Sequence, residues 1–201
     1  MRRFINFIDQ LSTAVGKAFG WYILILTFGV CYEVFVRYVL NNPTTWAYDL
    51  SYNMYGALFI MAGAYTLSRN AHVRGDVVYR LLPPRVQAII DLTLFVVFFY
   101  PGVLALTYFG YLYAGDSWNY REVSVYSPID IPIYPLKTLI PLAGALLLLQ
   151  GLAEVFRCIL CIRTGGWPYR GEDVEEIETM ILHEHEFARH QTPDAVSEQR
   201  S

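Results

Sequence analysis

Four long apolar stretches alternate with short polar connections along the chain, over about residues 18–40, 46–67, 86–114 and 134–162. A helix needs about 20 mainly apolar residues to cross a hydrocarbon core of roughly 30 Å, so each run predicts a transmembrane helix. Between the first two lies only Asn41-Asn42-Pro43-Thr44-Thr45, where Asn and Pro end one helix and Thr45 can cap the next. That is a tight hairpin. Pro83-Pro84 opens the third run, while Tyr100-Pro101-Gly102 and Pro141 predict kinks within the third and fourth.

Ahead of the first run, Phe4, Ile5, Phe7, Ile8, Leu11 and Val15 recur at roughly helical spacing, with Arg2, Arg3, Asp9 and Gln10 at other positions. Residues 1–17 read as an amphipathic helix lying in the membrane interface, or alternatively as an unstructured start. No secretory leader pattern is visible, because Asp9, Gln10 and Lys17 interrupt the apolar residues before the long run begins. After Gly165-Gly166-Trp167-Pro168 the pattern ends. Residues 166–201 form an acidic, partly disordered tail, in which Val174, Ile177, Met180 and Ile181 can make one stripe of a helix from about Asp173 to His190. That stripe either docks on a partner or stays solvated. The expected architecture is an all-α membrane protein with a four-helix domain over residues 18–165.

Charge fixes the expected orientation. Residues 1–165 hold twelve Lys/Arg against nine Asp/Glu, whereas the tail holds three against nine. Arg2, Arg3 and Lys17, the second connection with Arg69, Arg74, Arg80 and Arg85, and Arg157, Arg163 and Arg170 all fall on one side. Short loops rich in Lys/Arg stay in the cytoplasm, so both termini are expected there. Trp46, Tyr113, Trp118, Tyr134 and Trp167 sit near run ends, as aromatic belts do.

Candidate chemistry is thin. Glu33 and Arg37 lie four apart on one helix face, as partners do, and Glu154 and Arg157 are three apart near the opposite end of the fold. Asp49 and Asp91, one and two turns inside their helices, are expected to anchor to an arginine or lie near headgroups. His183, Glu184, His185, Glu186 and His190 resemble metal ligands, but the two histidines after Glu184 are five apart where a zinc-protease helix needs four. Cys158 and Cys161 have the spacing of a redox pair, yet their expected place at the cytoplasmic end of a membrane helix favours simple packing. All four histidines lie in the second connection or the tail, which argues against intramembrane haem ligation. No catalytic residue, cofactor or metal is expected. The alternative is a free-standing four-helix channel, exporter or redox protein.

The segment Phe35 to Tyr79, FVRYVLNNPTTWAYDLSYNMYGALFIMAGAYTLSRNAHVRGDVVY, resembles the signature region of the small membrane subunit of tripartite ATP-independent periplasmic (TRAP) transporters, the DctQ-type family. The resemblance includes the short first hairpin, the basic loop with His72, Val73, Arg74 and Asp76, and IPLAGALLLLQGLAE from Ile140 to Glu154. Many members have two consecutive glutamates after the tryptophan, where this chain has Tyr48-Asp49. The resemblance implies an inner-membrane subunit that braces a large, DctM-type permease subunit, with a DctP-type periplasmic protein delivering an organic-acid-like solute. Its partners would be those two proteins and membrane lipids, with no nucleic acid. Trp46, Asp49, Arg69, His72, Arg74 and Asp76 carry over as motif positions for docking or structure, beside the Glu33–Arg37 pair at a helix interface.

Overall fold

A computed structural model describes residues 2–69, 79, 81–125 and 129–167. Six α-helices account for most of it: α1 (Arg2–Gly20), α2 (Tyr22–Tyr38), α3 (Ala47–Ser68), α4 (Pro84–Leu94), α5 (Tyr100–Tyr120) and α6 (Tyr134–Thr164). A π-helical turn, Phe95–Phe99, joins α4 to α5 without a break. The described residues contain no strand, only an isolated antiparallel bridge between Val123 and Pro132 in the connection from α5 to α6.

Among the described residues, three continuous helical stretches are long and apolar enough to cross a membrane: Arg3–Tyr38, Pro84–Tyr120 and Tyr134–Thr164. α3 has 22 residues, about 33 Å at 1.5 Å per residue, but Asp49, Ser51, Asn53 and its tyrosines make it too polar to join them. Length and apolarity therefore separate in this one helix. The N-terminal segment also differs from its expected boundaries. α1 runs to Gly20 and continues through Trp21, which keeps helical angles (φ −64°, ψ −21°), into α2.

Local chemistry explains several ends. Proline at the first helical position starts α4 because its missing N–H is an orphan there anyway. Gly165 (φ +81°) stops α6 in the left-handed region, where a side chain would be strained. The π turn precedes Pro101, whose ring crowds the carbonyl four residues back and which lacks an N–H. Its closing bond runs from the Tyr100 N–H to the Phe95 carbonyl, five residues apart, which gives the ring room.

α6 is the hub, packing against α1, α3, α4 and α5, while α2 leans chiefly on α3. Met61 and Ala64 of α3 meet Ala143 and Leu146 of α6, with Leu11 and Val15 of α1 against them. Ile5 and Ile8 meet Ala153 further along, so α1 runs beside α6 for much of its length. Ala88, Cys158 and Cys161 close the α4 side. Small residues set these spacings. A Cβ on Gly110 would lie 2.8 Å from Ile140, one on Gly151 2.5 Å from a Phe99 ring carbon, and ones on Gly16 and Gly144 would collide with Tyr65 and Thr107. Between helices in lipid, such close approach supplies the attraction that the hydrophobic effect supplies in water.

Candidate functional site: the buried charges and the α5–α6 connection

A charge inside a membrane helix is expensive and must find a partner. Glu33 is buried on the α3 side of α2, and its Oε1 accepts from Arg37 Nε at 2.9 Å and Nη2 at 2.5 Å. Its other oxygen accepts from the Thr44 N–H at 3.2 Å and from the Thr44 hydroxyl. One carboxylate thus pairs within its helix and also ties down the hairpin. Trp46, two residues further along, stacks on Tyr32 with ring centres 6.3 Å apart.

Asp49 is 2 % exposed and takes a hydrogen bond from the Ser124 hydroxyl, rather than resting on an arginine. Its second oxygen is buried and has no hydrogen-bond partner. Ser124 belongs to the connection between α5 and α6, folded back by the bonds Ser124 N–H to Ile131 O (2.8 Å) and Ile133 N–H to Glu122 O (3.0 Å). Glu122 receives Lys137 Nζ and the Ser117 hydroxyl, the latter at 2.8 Å. The ammonium first, then the hydroxyl, holds this partly exposed carboxyl below the usual carboxylate range. Lys137 also lies 4.0 Å from the centre of the Tyr113 ring. The loop is thereby pinned to α3, α5 and α6.

At the opposite end of the bundle a second network joins α1 to α6. Arg157 bridges Glu154 on its own helix and Asp9 on α1. Gln150, fully buried, donates to Asp9 at 2.9 Å and accepts from the Ser12 hydroxyl at 2.8 Å. Asp9, Ser12 and Gln150 were not among the sequence candidates. A signal existed: Gln150, Glu154 and Arg157 are spaced i, i+4, i+7 along one face of an otherwise apolar helix. Nearby, Tyr79 donates to Asp91 at 2.8 Å and Trp167 to Gln87 at 3.0 Å.

Among the other candidates, Arg69 caps α3 through its N–H to Tyr65 O (3.1 Å), and its guanidinium lies 5.7 Å from the Tyr65 ring centre. His72, Arg74 and Asp76 lie outside the described residues, as do the three tail histidines. Among the described residues no group of three His, Cys, Asp or Glu is placed to hold a metal ion. Cys158 and Cys161 form no disulfide and pack in a buried cluster with Ala88.

A groove of about 470 Å³ opens between the α1–α2 junction, α3 and the start of α6, walled by Phe19, Tyr22, Leu50, Met54 and Leu136, with Asn53 as its polar member. Its walls offer little to orient a charged solute. Comparison with curated proteins gives no match. The family described as "Tripartite ATP-independent periplasmic transporters, DctQ component" matches residues 26–161, more than half the chain, and takes in α3 through most of α6 together with the α5–α6 connection. The chain therefore belongs to the DctQ family and is a membrane subunit of a TRAP transporter, not an enzyme.

Proposed function

We propose that this subunit is the static brace of its transporter: it widens and fixes the scaffold of the large ion-coupled permease subunit and carries no solute itself. The observation that supports this reading is how its polarity is arranged. Glu33, Asp49, Lys137, Glu154 and Arg157, the buried charges of α2, α3 and α6, all meet partners within the chain, while the outward faces of α2 and α5 are lined by large apolar side chains such as Phe28, Leu104 and Phe109. A transport path needs polar groups facing a cavity. A brace needs a rigid body that holds its own charges inside and turns apolar surface outward.

In this reading α2, α3, the α4–α5 rod and α6 cross the inner membrane four times, with both termini and the tail in the cytoplasm. Glu33 and Arg37, Trp46, Asp49, Arg69, His72, Arg74 and Asp76 shape the surfaces that meet the large subunit and the lipid headgroups, each Arg–headgroup contact contributing about 1 kcal/mol. The periplasmic protein delivers an organic-acid-like solute, which moves through the large subunit with its coupling ion. Vesicles containing this chain alone should take up nothing, whereas co-expressed large subunit should co-purify with it. Solute uptake by the isolated chain would sink the proposal.

A further inference from the structure

We infer that the large membrane subunit packs against one particular stripe of α3, formed by Tyr48, Tyr52, Tyr55 and Phe59; the inference rests on the brace reading above. These residues are spaced i, i+4, i+7, i+11 and so share one face of the helix. They are between 58 % and 71 % exposed. The opposite face is occupied: Leu50, Met54 and Ala57 wall the groove, and Met61 lies in the core with Leu11, Val15 and Ala143. α2 and α6 flank the helix, so the tyrosine stripe is the side on which α3 meets its surroundings.

Two related observations point to protein surroundings. First, α3 is as long as a bilayer is thick yet is not apolar enough to be a membrane span by composition. Asp49 and Asn53 turn inward to Ser124 and the groove, which leaves the tyrosines as the polar groups of α3 that need shielding at membrane depth. Second, among the described residues the hydroxyls of Tyr52 and Tyr55, both on exposed side chains, have no hydrogen-bond partner. Tyr55 lies nine residues, about 13 Å, beyond Trp46 at the helix start, near the middle of a hydrocarbon core roughly 30 Å thick. Lipid tails accept no hydrogen bond, so a phenol at that depth is costly until another helix supplies an acceptor. α2 makes the contrast. Its exposed positions include Ile23, Leu24, Ile25, Phe28 and Val34, which lipid tails solvate without penalty.

The partner's chemistry follows: a membrane helix offering backbone carbonyls or side-chain acceptors near mid-depth, with small residues to admit the rings. In a tripartite transporter the large permease subunit is the component that supplies such helices.

The test is site-specific photocrosslinking in intact membranes with all three components co-expressed, placing the photoreactive residue at Tyr52, Tyr55 or Phe28. Adducts with the large subunit are expected from Tyr52 and Tyr55 and not from Phe28. Adducts from Phe28 alone, a covalent dimer of this chain, or only lipid adducts at Tyr52 and Tyr55 would each overturn the assignment. The double substitution Tyr52→Phe/Tyr55→Phe keeps both rings and the fold, and should lower retention of the large subunit about fivefold. Unchanged retention would overturn the role of the hydroxyls. If the unsubstituted chain retains no large subunit, the brace reading itself fails, an outcome separate from a misplaced contact face.

Discussion

Two ion-pair sites at opposite ends of the bundle use the same residue types for different purposes. The Glu33–Arg37 pair is local, its members four residues apart, and the arginine side chain is 48 % exposed. The Asp9–Arg157–Glu154 network joins residues 148 positions apart, and Arg157 is 4 % exposed. The first trims a helix end and a hairpin; the second decides where an entire N-terminal helix lies. The lesson is that burial and sequence separation, more than the identity of the pair, set what a charge contributes. An exposed local pair recovers water when broken. A buried bridging cation leaves two carboxylates stranded.

That contrast can be tested by removal. Arg157→Met should cost about 3–5 kcal/mol, because Asp9 and Glu154 lose their counter-ion in a site with little access to water. The measurement is the unfolding free energy in a mild detergent. Adding Asp9→Asn and Glu154→Gln to the same chain should recover much of the loss, and failure to recover would mean that the site depends on shape rather than charge. Gln150→Leu should cost about 1–3 kcal/mol by leaving the Ser12 hydroxyl and Asp9 each short of a partner. Glu33→Gln should lower stability by only roughly a third of the Arg157→Met effect, and a larger loss would erase the distinction between the two ends.

The smallest effect belongs to the α5–α6 connection. Glu122 is held below its ordinary range in the folded state, so its pairing with Lys137 adds stability above the unfolded value, and that contribution disappears as pH falls through the depressed folded value. The stability difference between the wild type and Glu122→Gln should therefore be constant above about pH 5 and shrink below about pH 4. A difference that grows on acidification would show that the loop is held by other means.

Much of the helical layout was legible because apolar runs of about 20 residues and punctuating prolines are local signals. The run beginning near residue 86 became one rod to Tyr120, and the kink expected at Pro101 appears as the π turn before it. Long-range pairing was not legible. Asp9 and Gln150 are separated by 141 positions, and no periodicity announces their meeting. The apolar positions of α1 do not announce their surroundings: Ile5 and Ile8 rest on Ala153 of α6, whereas Phe4 and Phe7 stay exposed. The mainly apolar run over residues 46–67 predicts a span, and the helix formed there, α3, is less apolar than the three stretches long and apolar enough to cross a membrane.

The widened turn at Phe95–Phe99 acts as a phase adjuster. By closing over five residues instead of four, it resets by about one residue, or about 100°, the direction in which everything downstream faces. A single rod can then present Ala88 to the thiols of α6 at one end and Gly110 to Ile140 at the other. Deleting one residue there would straighten the rod and turn one of its two gripping surfaces toward the lipid.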